Sequence, residues 1–255
     1  MKQIARIFIL IFILILGIIS PVIGQDTIPQ PVEIQEELAE TPAGIYQAIK
    51  VKFIEGSAIF MSIITLCLIV GLSFCLERII YLNLIQINTK KFLSEIDSDL
   101  RACKLEQAKE RAKDTRGPIA SVCYQALSRI EEDSDAIDRS ITATGSVQVG
   151  FLEKNLSWIS LFITIAPSLG FLGTVIGMIM AFDNIQEQGD INPAIVAGGM
   201  KFALITTVAG LIVALLLQLF YNYILSKVEG IVNEMEDSSI HIMDAITRYK
   251  RSFNK

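Results

Sequence analysis

Three long apolar blocks, each free of charged side chains, constrain this chain more than any other feature. They cover residues Met61–Leu76, Ile159–Phe182 and Phe202–Leu225. A helix of about 20 apolar residues is long enough to cross a bilayer core of roughly 30 Å. The blocks therefore predict an all-α membrane protein with three long transmembrane helices.

The N-terminus has the order of a secretory signal peptide. Two basic residues, Lys2 and Arg6, precede an apolar run over residues 7–19, and the small residue Gly24 follows. This order, in which basic residues precede an apolar run and a small residue at a cleavage site, predicts a signal peptide over residues 1–24. An uncleaved membrane anchor is the alternative, and both interpretations place the next segment outside the cytoplasm.

The segment over residues 25–56 begins with a stretch rich in proline and glutamate, which is typical of weakly structured, exposed chain. Towards its end the pattern becomes helical. The residues at helical spacing are Ile45, Ala48, Ile49, Lys52 and Phe53. We expect an amphipathic helix that lies on the outer surface and leads into the first span.

Lysine and arginine are distributed unevenly between the connections. Residues 83–155 carry eleven of them, whereas residues 183–198 carry none. Lys and Arg mark the cytoplasmic side of a membrane protein, so this bias fixes the orientation. The predicted division is an outer N-terminal segment (25–56), transmembrane helix 1 (57–82), a cytoplasmic helical region (83–155), transmembrane helix 2 (156–182), an outer loop (183–198), transmembrane helix 3 (199–226) and a cytoplasmic C-terminal helix (227–255).

Helical extensions are expected on the cytoplasmic side. The pattern predicts a helix over Leu100–Lys113, a break at Gly117-Pro118, and then a second helix. The apolar face of this second helix comprises Ile119, Val122, Cys123, Ala126, Leu127 and Ile130. The stretch over residues 131–135, which is acidic apart from Ser134, suits a solvated turn and helix N-cap. No proline interrupts the tail after the third span, so that helix should continue.

Several functional classes lack support in the sequence. The net charge is −5 and no basic stripe is interleaved with aromatic residues, which argues against nucleic-acid binding. The four cysteines form no CxxC pair, and the single histidine, His241, cannot make a metal site alone. We expect no catalytic residue, no metal and no cofactor. An intramembrane hydrolase would need a nucleophile and base, which the spans do not offer.

The spans also contain no acid of their own. No Asp or Glu occurs between Glu55 and Glu77, between Glu153 and Asp183, or between Asp190 and Glu229. The one internal charge is Lys201, near the outer end of the third span, where it can snorkel to the interface. Ionisable groups inside a bilayer mark proton relays. This chain by itself therefore has no titratable relay in the membrane.

Small residues form a stripe on the second span and another on the third. The members are Gly170, Gly173, Thr174, Gly177 and Ala181 on one helix, and Ala203, Thr206 or Thr207, Gly210 and Ala214 on the other. Such stripes let membrane helices approach closely. Thr174 and Thr207 each lie eight residues, or about 12 Å, inward from the outer helix ends. Hydroxyls at one depth can line a polar path, although packing alone also explains the stripes.

These residues carry a resemblance to a known family. The strings Ala166–Ile179, Ala197–Gly199 and Ala203–Leu211, together with the junction Glu77–Leu82, resemble signatures of the MotA/TolQ/ExbB proton channel family. The long segment behind a signal peptide resembles ExbB more than TolQ. MotA-like chains, which have four spans and a larger cytoplasmic domain, are less similar.

The resemblance implies a function. It implies an ExbB-like subunit, with its N-terminus in the periplasm, in a homo-oligomeric, pentameric ring in the bacterial inner membrane. The ring would surround two copies of a single-span partner of ExbD or TolR type, whose membrane aspartate carries the proton. With a TonB-like protein, this motor energises transport across the outer membrane. A TolQ-like envelope-maintenance subunit and a non-conducting scaffold remain the alternatives.

The resemblance also implies roles for individual residues. Thr174 and Thr207 match the threonines that face the partner, with Thr206 as the neighbouring candidate for the proton pathway. The expected packing or pore-lining residues are Pro167, Gly170, Gly173, Gly177, Ala203, Gly210 and Ala214, and those at the membrane junction are Glu77 and Arg78.

Two positions depart from the family pattern. Phe202 stands where many ExbB-like chains have a glutamate, which removes an acid from the outer mouth. Leu216 stands where many have a proline, which predicts a straighter third helix.

Overall fold

The computed structural model describes residues 58–189 and 193–253, together with Phe53 and Gly56. This part of the chain is helical and contains no strand. The helices are α1 (Ala58–Ile85), α2 (Thr89–Arg101), α3 (Leu105–Asp114), α4 (Pro118–Ser128), α5 (Ser134–Leu152), α6 (Leu156–Gln188) and α7 (Pro193–Phe253).

Three helices among the described residues are long and apolar enough to cross a membrane, namely α1, α6 and α7. The prediction of an all-α protein with three membrane-spanning helices is therefore confirmed. The ring assembly stays a prediction. The predicted signal peptide and most of the predicted amphipathic segment at 45–53 lie outside the described residues.

The chain divides into two compact units. The first unit comprises the residues up to Ser73 together with Ser160–Gln218, and so contains stretches of α1, α6 and α7. Within it, the rings of Phe60 and Phe202 meet edge to face with centroids 6.1 Å apart. Apolar and aromatic contacts thus join α1 to α7 inside this unit.

The second unit comprises Phe74–Ile159 and Leu219–Lys255 and has a conventional apolar core. The predicted face of α4 is buried in this core, which confirms the helical pattern read there. The core residues from α4 and the turn after it are Ile119, Ala120, Val122, Cys123, Ala126, Leu127 and Ile130. Burial raises the pKa of the Cys123 thiol to about 12. Cys123 is therefore a packing residue rather than a reactive thiolate.

A glycine with positive φ starts α4. Gly117 has φ 120°, and an added Cβ would lie 2.8 Å from the carbonyl oxygen of Ile85. Pro118 follows at the first helical position, where its missing N–H costs no hydrogen bond. The predicted break at Gly117-Pro118 is confirmed, and only glycine fits there.

The single helix predicted over Leu100–Lys113 is wrong, because α2 and α3 are separate. Cys103 adopts φ 57° between them. The Lys104 N–H reaches back to the Asp99 carbonyl at 2.9 Å, which closes α2 in a Schellman-type turn. The turn has a non-glycine residue at its left-handed position, so the sequence carries no glycine signal for it.

Polar contacts tie the end of α7 to the rest of the second unit. Arg248 donates to Asp97 at 3.0 Å, and Arg101 lies 2.7 Å from the same carboxylate. Lys250 also donates to the carbonyl oxygen of Glu132. Burial alone would raise the pKa of Asp97, but hydrogen bonds from Arg248 and Arg101 outweigh it and lower that pKa. The ionised carboxylate therefore stabilises the folded unit.

We predict that Asp97→Asn destabilises the protein at pH 7 by about 0.5–1 kcal/mol, the scale of a partly exposed ion pair. Because the folded pKa lies below the ordinary value of 3.8, the stabilisation is present above that pH. It is lost as the pH falls through the folded pKa.

Thermal unfolding of both proteins in detergent, at pH 7 and at about pH 3, measures this difference. Asp114→Asn, at an exposed carboxylate that ends α3, is the control. An equal gap between wild type and Asp97→Asn at both pH values would contradict the prediction.

Candidate functional site

Glycines bring the backbones of α6 and α7 together within one chain. A Cβ added at Gly173 would lie 2.5 Å from Thr206 Oγ1, and one at Gly210 would lie 2.5 Å from the carbonyl oxygen of Ala166. At Gly170 it would lie 3.0 Å from the Thr206 carbonyl oxygen. Real Cβ atoms do not approach other atoms so closely, so this helix pair depends on glycine at these positions.

The same contact line continues towards the helix ends near Gln188 and Pro193. A Cβ at Gly177 would lie 2.4 Å from the Phe202 ring, and one at Gly199 would lie 2.5 Å from the Cβ of Ala181. Of the other residues predicted to pack, Ala203 is buried, whereas Pro167 and Ala214 are half-buried. Pro167 lies inside α6, where it provides no N–H for the preceding turn.

Two threonine hydroxyls meet in the middle of this contact. Thr174 Oγ1 on α6 and Thr207 Oγ1 on α7 are hydrogen-bonded to each other. Thr207 Oγ1 also lies 3.1 Å from the Ala203 carbonyl oxygen and 3.2 Å from that of Gly170. Thr174 Oγ1 lies 3.3 Å from the same two carbonyl oxygens. The residues predicted at one depth are thus side by side.

The two hydroxyls hold only two protons among these acceptors. Each hydroxyl can donate one hydrogen bond and accept others. In the Thr174–Thr207 pair either oxygen can be the donor. The second proton then goes to the carbonyl of Gly170 or Ala203. The hydrogen bond between the two hydroxyls can therefore run in either direction with little movement of heavy atoms.

Thr206 occupies a different place from the pair. It is fully buried, and its hydroxyl donates to the Ala203 carbonyl oxygen at 2.9 Å. It faces Gly173, whereas Thr174 and Thr207 are half-buried at the edge of the helix contact. Neighbouring residues beside that edge are exposed and apolar, among them Phe171, Val175, Leu204 and Val208. A group from outside the chain can reach the pair more readily than Thr206.

The predicted junction residues lie in the second unit. Arg78 is only 2% exposed and donates to the carbonyl oxygens of Phe151 and Leu152, at 2.7 and 2.9 Å. Glu77 accepts from the Asn155 side chain at 2.9 Å. Phe151 and Leu152 end α5, where helix carbonyls lack intrahelical partners. The Arg78 guanidinium on α1 therefore caps the C-terminal end of α5. A positive charge is also favoured there by the helix dipole of α5.

The sequence alone did not indicate the partners of Arg78 and Glu77. The acceptors of Arg78 are backbone oxygens, which have no sequence signature. Asn155 adopts φ 67° between α5 and α6, and asparagine is one of the few residues that tolerate this conformation. Its position before the second apolar block could have indicated a helix break. A stacked Phe74–Trp158 pair, with centroids 6.4 Å apart, is also part of this junction.

Comparison with known proteins gives a family match over the region that holds the threonine pair. Residues 114–237 match the MotA/TolQ/ExbB proton channel family. A putative biopolymer transport protein ExbB homolog of Methanothermobacter thermautotrophicus is 27% identical over 169 residues, which are 66% of this chain and 60% of that protein.

Shorter matches extend to two bacterial proteins. The biopolymer transport protein ExbB of Aquifex aeolicus is 39% identical over 77 residues, covering 30% of this chain and 52% of that protein. The biopolymer transport protein exbB1 of Vibrio cholerae is 33% identical over 106 residues, covering 37% and 46%. The match to this chain thus spans between about half and three fifths of the length of these relatives.

We predict that Gly173→Leu disrupts the helix pair, because the leucine side chain would occupy the position of the Thr206 hydroxyl. The expected loss is about 1–3 kcal/mol, the usual cost of overpacking. Gly230→Leu is the control, since Gly230 is exposed on α7 and a Cβ there meets nothing within 4 Å.

Thermal unfolding in detergent measures both variants, and native mass spectrometry reports whether either one changes the oligomer. Equal stability of the two variants would show that the close approach at Gly173 does not hold α6 and α7 together.

A second prediction concerns Arg78. Arg78→Ala leaves the last carbonyls of α5 without their donor, and we expect a loss of about 1–3 kcal/mol. Arg78→Lys should recover part of it, because an ammonium keeps the charge but lacks the planar fork. Tryptic cleavage after the exposed Lys154 should become faster in both variants, because the junction loosens. Arg139→Ala, at an exposed position on α5, is the control. Unchanged stability and cleavage in Arg78→Ala would refute the capping role.

Proposed function

We propose that this chain, whose residues 114–237 match the MotA/TolQ/ExbB proton channel family, is an ExbB-like subunit of a proton-driven motor. In this proposal the chain works in the inner membrane with an ExbD-like, single-span partner. Together with a TonB-like protein, the motor energises transport across the outer membrane. Relatives that are named biopolymer transport proteins support this choice over other membrane functions.

The observation that carries the proposal is the hydroxyl pair of Thr174 and Thr207. The pair is hydrogen-bonded, half-buried and located between two helices whose spans contain no acid. A proton-driven motor needs a titratable group in the membrane. We propose that the partner supplies it as an aspartate, and that the pair lines the route to that aspartate.

The environment of the pair suggests how proton passage is coupled to movement. An ionised aspartate is stabilised beside hydroxyls or water and destabilised against hydrocarbon. A protonated aspartate has no such restriction and can turn towards the apolar faces that carry Phe171 and Leu204. Protonation at the pair thus permits relative rotation of ring and partner, and deprotonation favours return to a hydroxyl pair on the same or the next subunit.

The glycine contact gives this mechanism a rigid frame. The helix backbones touch at Gly170 and Gly210, and the Thr206 side chain packs directly on Gly173. The two helices should therefore move as one body, which keeps the two hydroxyls at a fixed separation. The exposed apolar residues on both helices provide surface for neighbouring copies, the partner helix and lipid. We therefore propose a homo-oligomeric ring, pentameric by the family resemblance, around the partner.

The distribution of lysine and arginine supports the proposed topology. Residues 83–155 and 227–255 lie in the cytoplasm, and the connection around Gly189 lies in the periplasm. In this topology the N-terminal segment is periplasmic after removal of residues 1–24. A TolQ-like subunit of an envelope-maintenance motor would have the same topology and differ in the protein that it drives.

One observation favours a second function, that of a non-conducting scaffold. Thr174 Oγ1 lies 3.3 Å from the Ala203 carbonyl oxygen on α7, and Thr207 Oγ1 lies 3.2 Å from the Gly170 carbonyl oxygen on α6. Such bonds can simply join the two helices, as interhelical hydroxyls do in membrane proteins. In a scaffold the pair would contribute to stability and not to conduction, so the same substitutions separate the two functions.

We predict that the double variant Thr174→Val and Thr207→Val still assembles with its partner but loses at least about 90% of proton-driven uptake, because isosteric valine cannot pass a hydrogen bond. Thr174→Ser with Thr207→Ser should retain much of the activity. The measurement is TonB-dependent uptake in cells, together with proton flux into vesicles that contain the complex.

Thr164→Val provides the matched control, since Thr164 is exposed on α6 and its hydroxyl donates back to the Ser160 carbonyl at 3.1 Å. Thr206→Val added to the double variant tests whether the buried hydroxyl substitutes for its neighbour. Normal uptake by this triple variant would leave the scaffold function as the explanation.

A further inference from the structure

An open groove lies beside the ends of α6 and α7 that the connection around Gly189 joins. Its volume is about 300 Å³, and its walls include Met180 and Asn184 on α6 and Ile195, Gly198 and Phe202 on α7. Gly198 opens onto it, since a Cβ there meets no atom within 4 Å. The bottom of the groove is tightly packed, because Gly199 lies against Ala181 there. The groove is thus a cleft formed over a closed helix contact.

The start of α1 lies next to this groove. Phe60, in the first turn of α1, packs edge to face on Phe202, which is itself a groove residue. A Cβ at Gly56 would lie 3.0 Å from Ile205, less than one turn along α7 from Phe202. Gly56 and the first turn of α1 therefore lie beside α7, within one helical turn of the groove residue Phe202.

The sequence before Gly56 has the character of a groove ligand. Ile45, Ile49 and Phe53 recur every four residues, which places them on one face of a helix. Lys50 and Lys52 are basic, whereas Asp183 and Glu187 are exposed acidic residues that flank Asn184 on α6. Ten residue steps separate Ala48 from Ala58, and a chain of this length can span about 15 Å even in its compact helical form. The segment is therefore long enough to reach the groove.

We propose that residues 43–52 of this chain dock into the groove of the same chain, with Ile45 and Ile49 against its apolar wall and the lysines towards Asp183 and Glu187. The docked segment covers the α6–α7 contact one turn beyond Thr174 and Ala203. The inference concerns only contacts within the chain, so it holds or fails independently of the proposed proton route.

Disulfide trapping in native membranes tests the docking. The full-length chain carries Ala48→Cys and Asn184→Cys, together with Cys103→Ser, because Cys103 is the exposed one among the four native cysteines. Mild oxidation should give a disulfide within one chain, identified on non-reducing gels and by peptide mass spectrometry. In the control, Leu215→Cys replaces Asn184→Cys, since Leu215 is 66% exposed but lies about 25 Å along α7 from Gly198.

Filling the groove provides the second arm. Gly198→Leu in the Ala48–Asn184 cysteine background should slow formation of the intrachain disulfide about tenfold, because the leucine side chain competes for the groove. Gly230→Leu, at another glycine where a Cβ meets nothing, should leave the rate unchanged.

An intrachain disulfide that Gly198→Leu slows establishes the docking. A disulfide between two copies would overturn the proposal, since the segment would then occupy a neighbour's groove. Absence of a disulfide would overturn it as well, as expected if lipid or a partner helix fills the groove. A rate that Gly198→Leu does not change would show that the segment lies elsewhere.

Discussion

The arrangement of α6 and α7 depends on backbone contact at glycine. At Gly173 and Gly210 the facing atoms leave no room for a Cβ, so this register of the two helices requires glycine at both positions. In a bilayer the hydrophobic effect does not drive helices together, and close packing and polar contacts must hold them. The register that glycine permits also places Thr174 opposite Thr207. The packing constraint and the candidate site are therefore consequences of the same contact.

The second unit is stabilised by different means. A buried apolar cluster joins the four helices α2, α3, α4 and α5 and the end of α7, as in a soluble domain. Polar contacts occur where the chain cannot use apolar packing, namely at the carbonyl end of α5 and at the end of α7. Arg78 supplies donors at the first place and Asp97 accepts from Arg248 at the second. Without the Arg78 contacts, buried helix-end carbonyls would remain unsatisfied.

Much of the architecture could be predicted because composition and periodicity report solvent preference directly. The three charge-free blocks correctly predicted three helices long enough to span a membrane. The apolar face from Ile119 to Ile130 correctly predicted a helix packed in the core. The matching depth of Thr174 and Thr207 followed from counting residues inward from the helix ends. The prediction failed at Cys103, because a left-handed residue other than glycine leaves no compositional trace. The Arg78 contacts were missed because their acceptors are backbone oxygens.

The sequence by itself determined which segments lie in lipid and which in water, the helical period of each, and the absence of acids in the spans. These properties belong to single helices. Only the tertiary structure decided which faces meet. It placed Thr174 and Thr207, which are half-buried, at the edge of the helix contact and Thr206 inside it, although Thr206 and Thr207 are adjacent in sequence. A turn of about 100° per residue puts such neighbours on different helix faces. Which face meets α6 depends on where backbones can approach, and that is a property of two helices together.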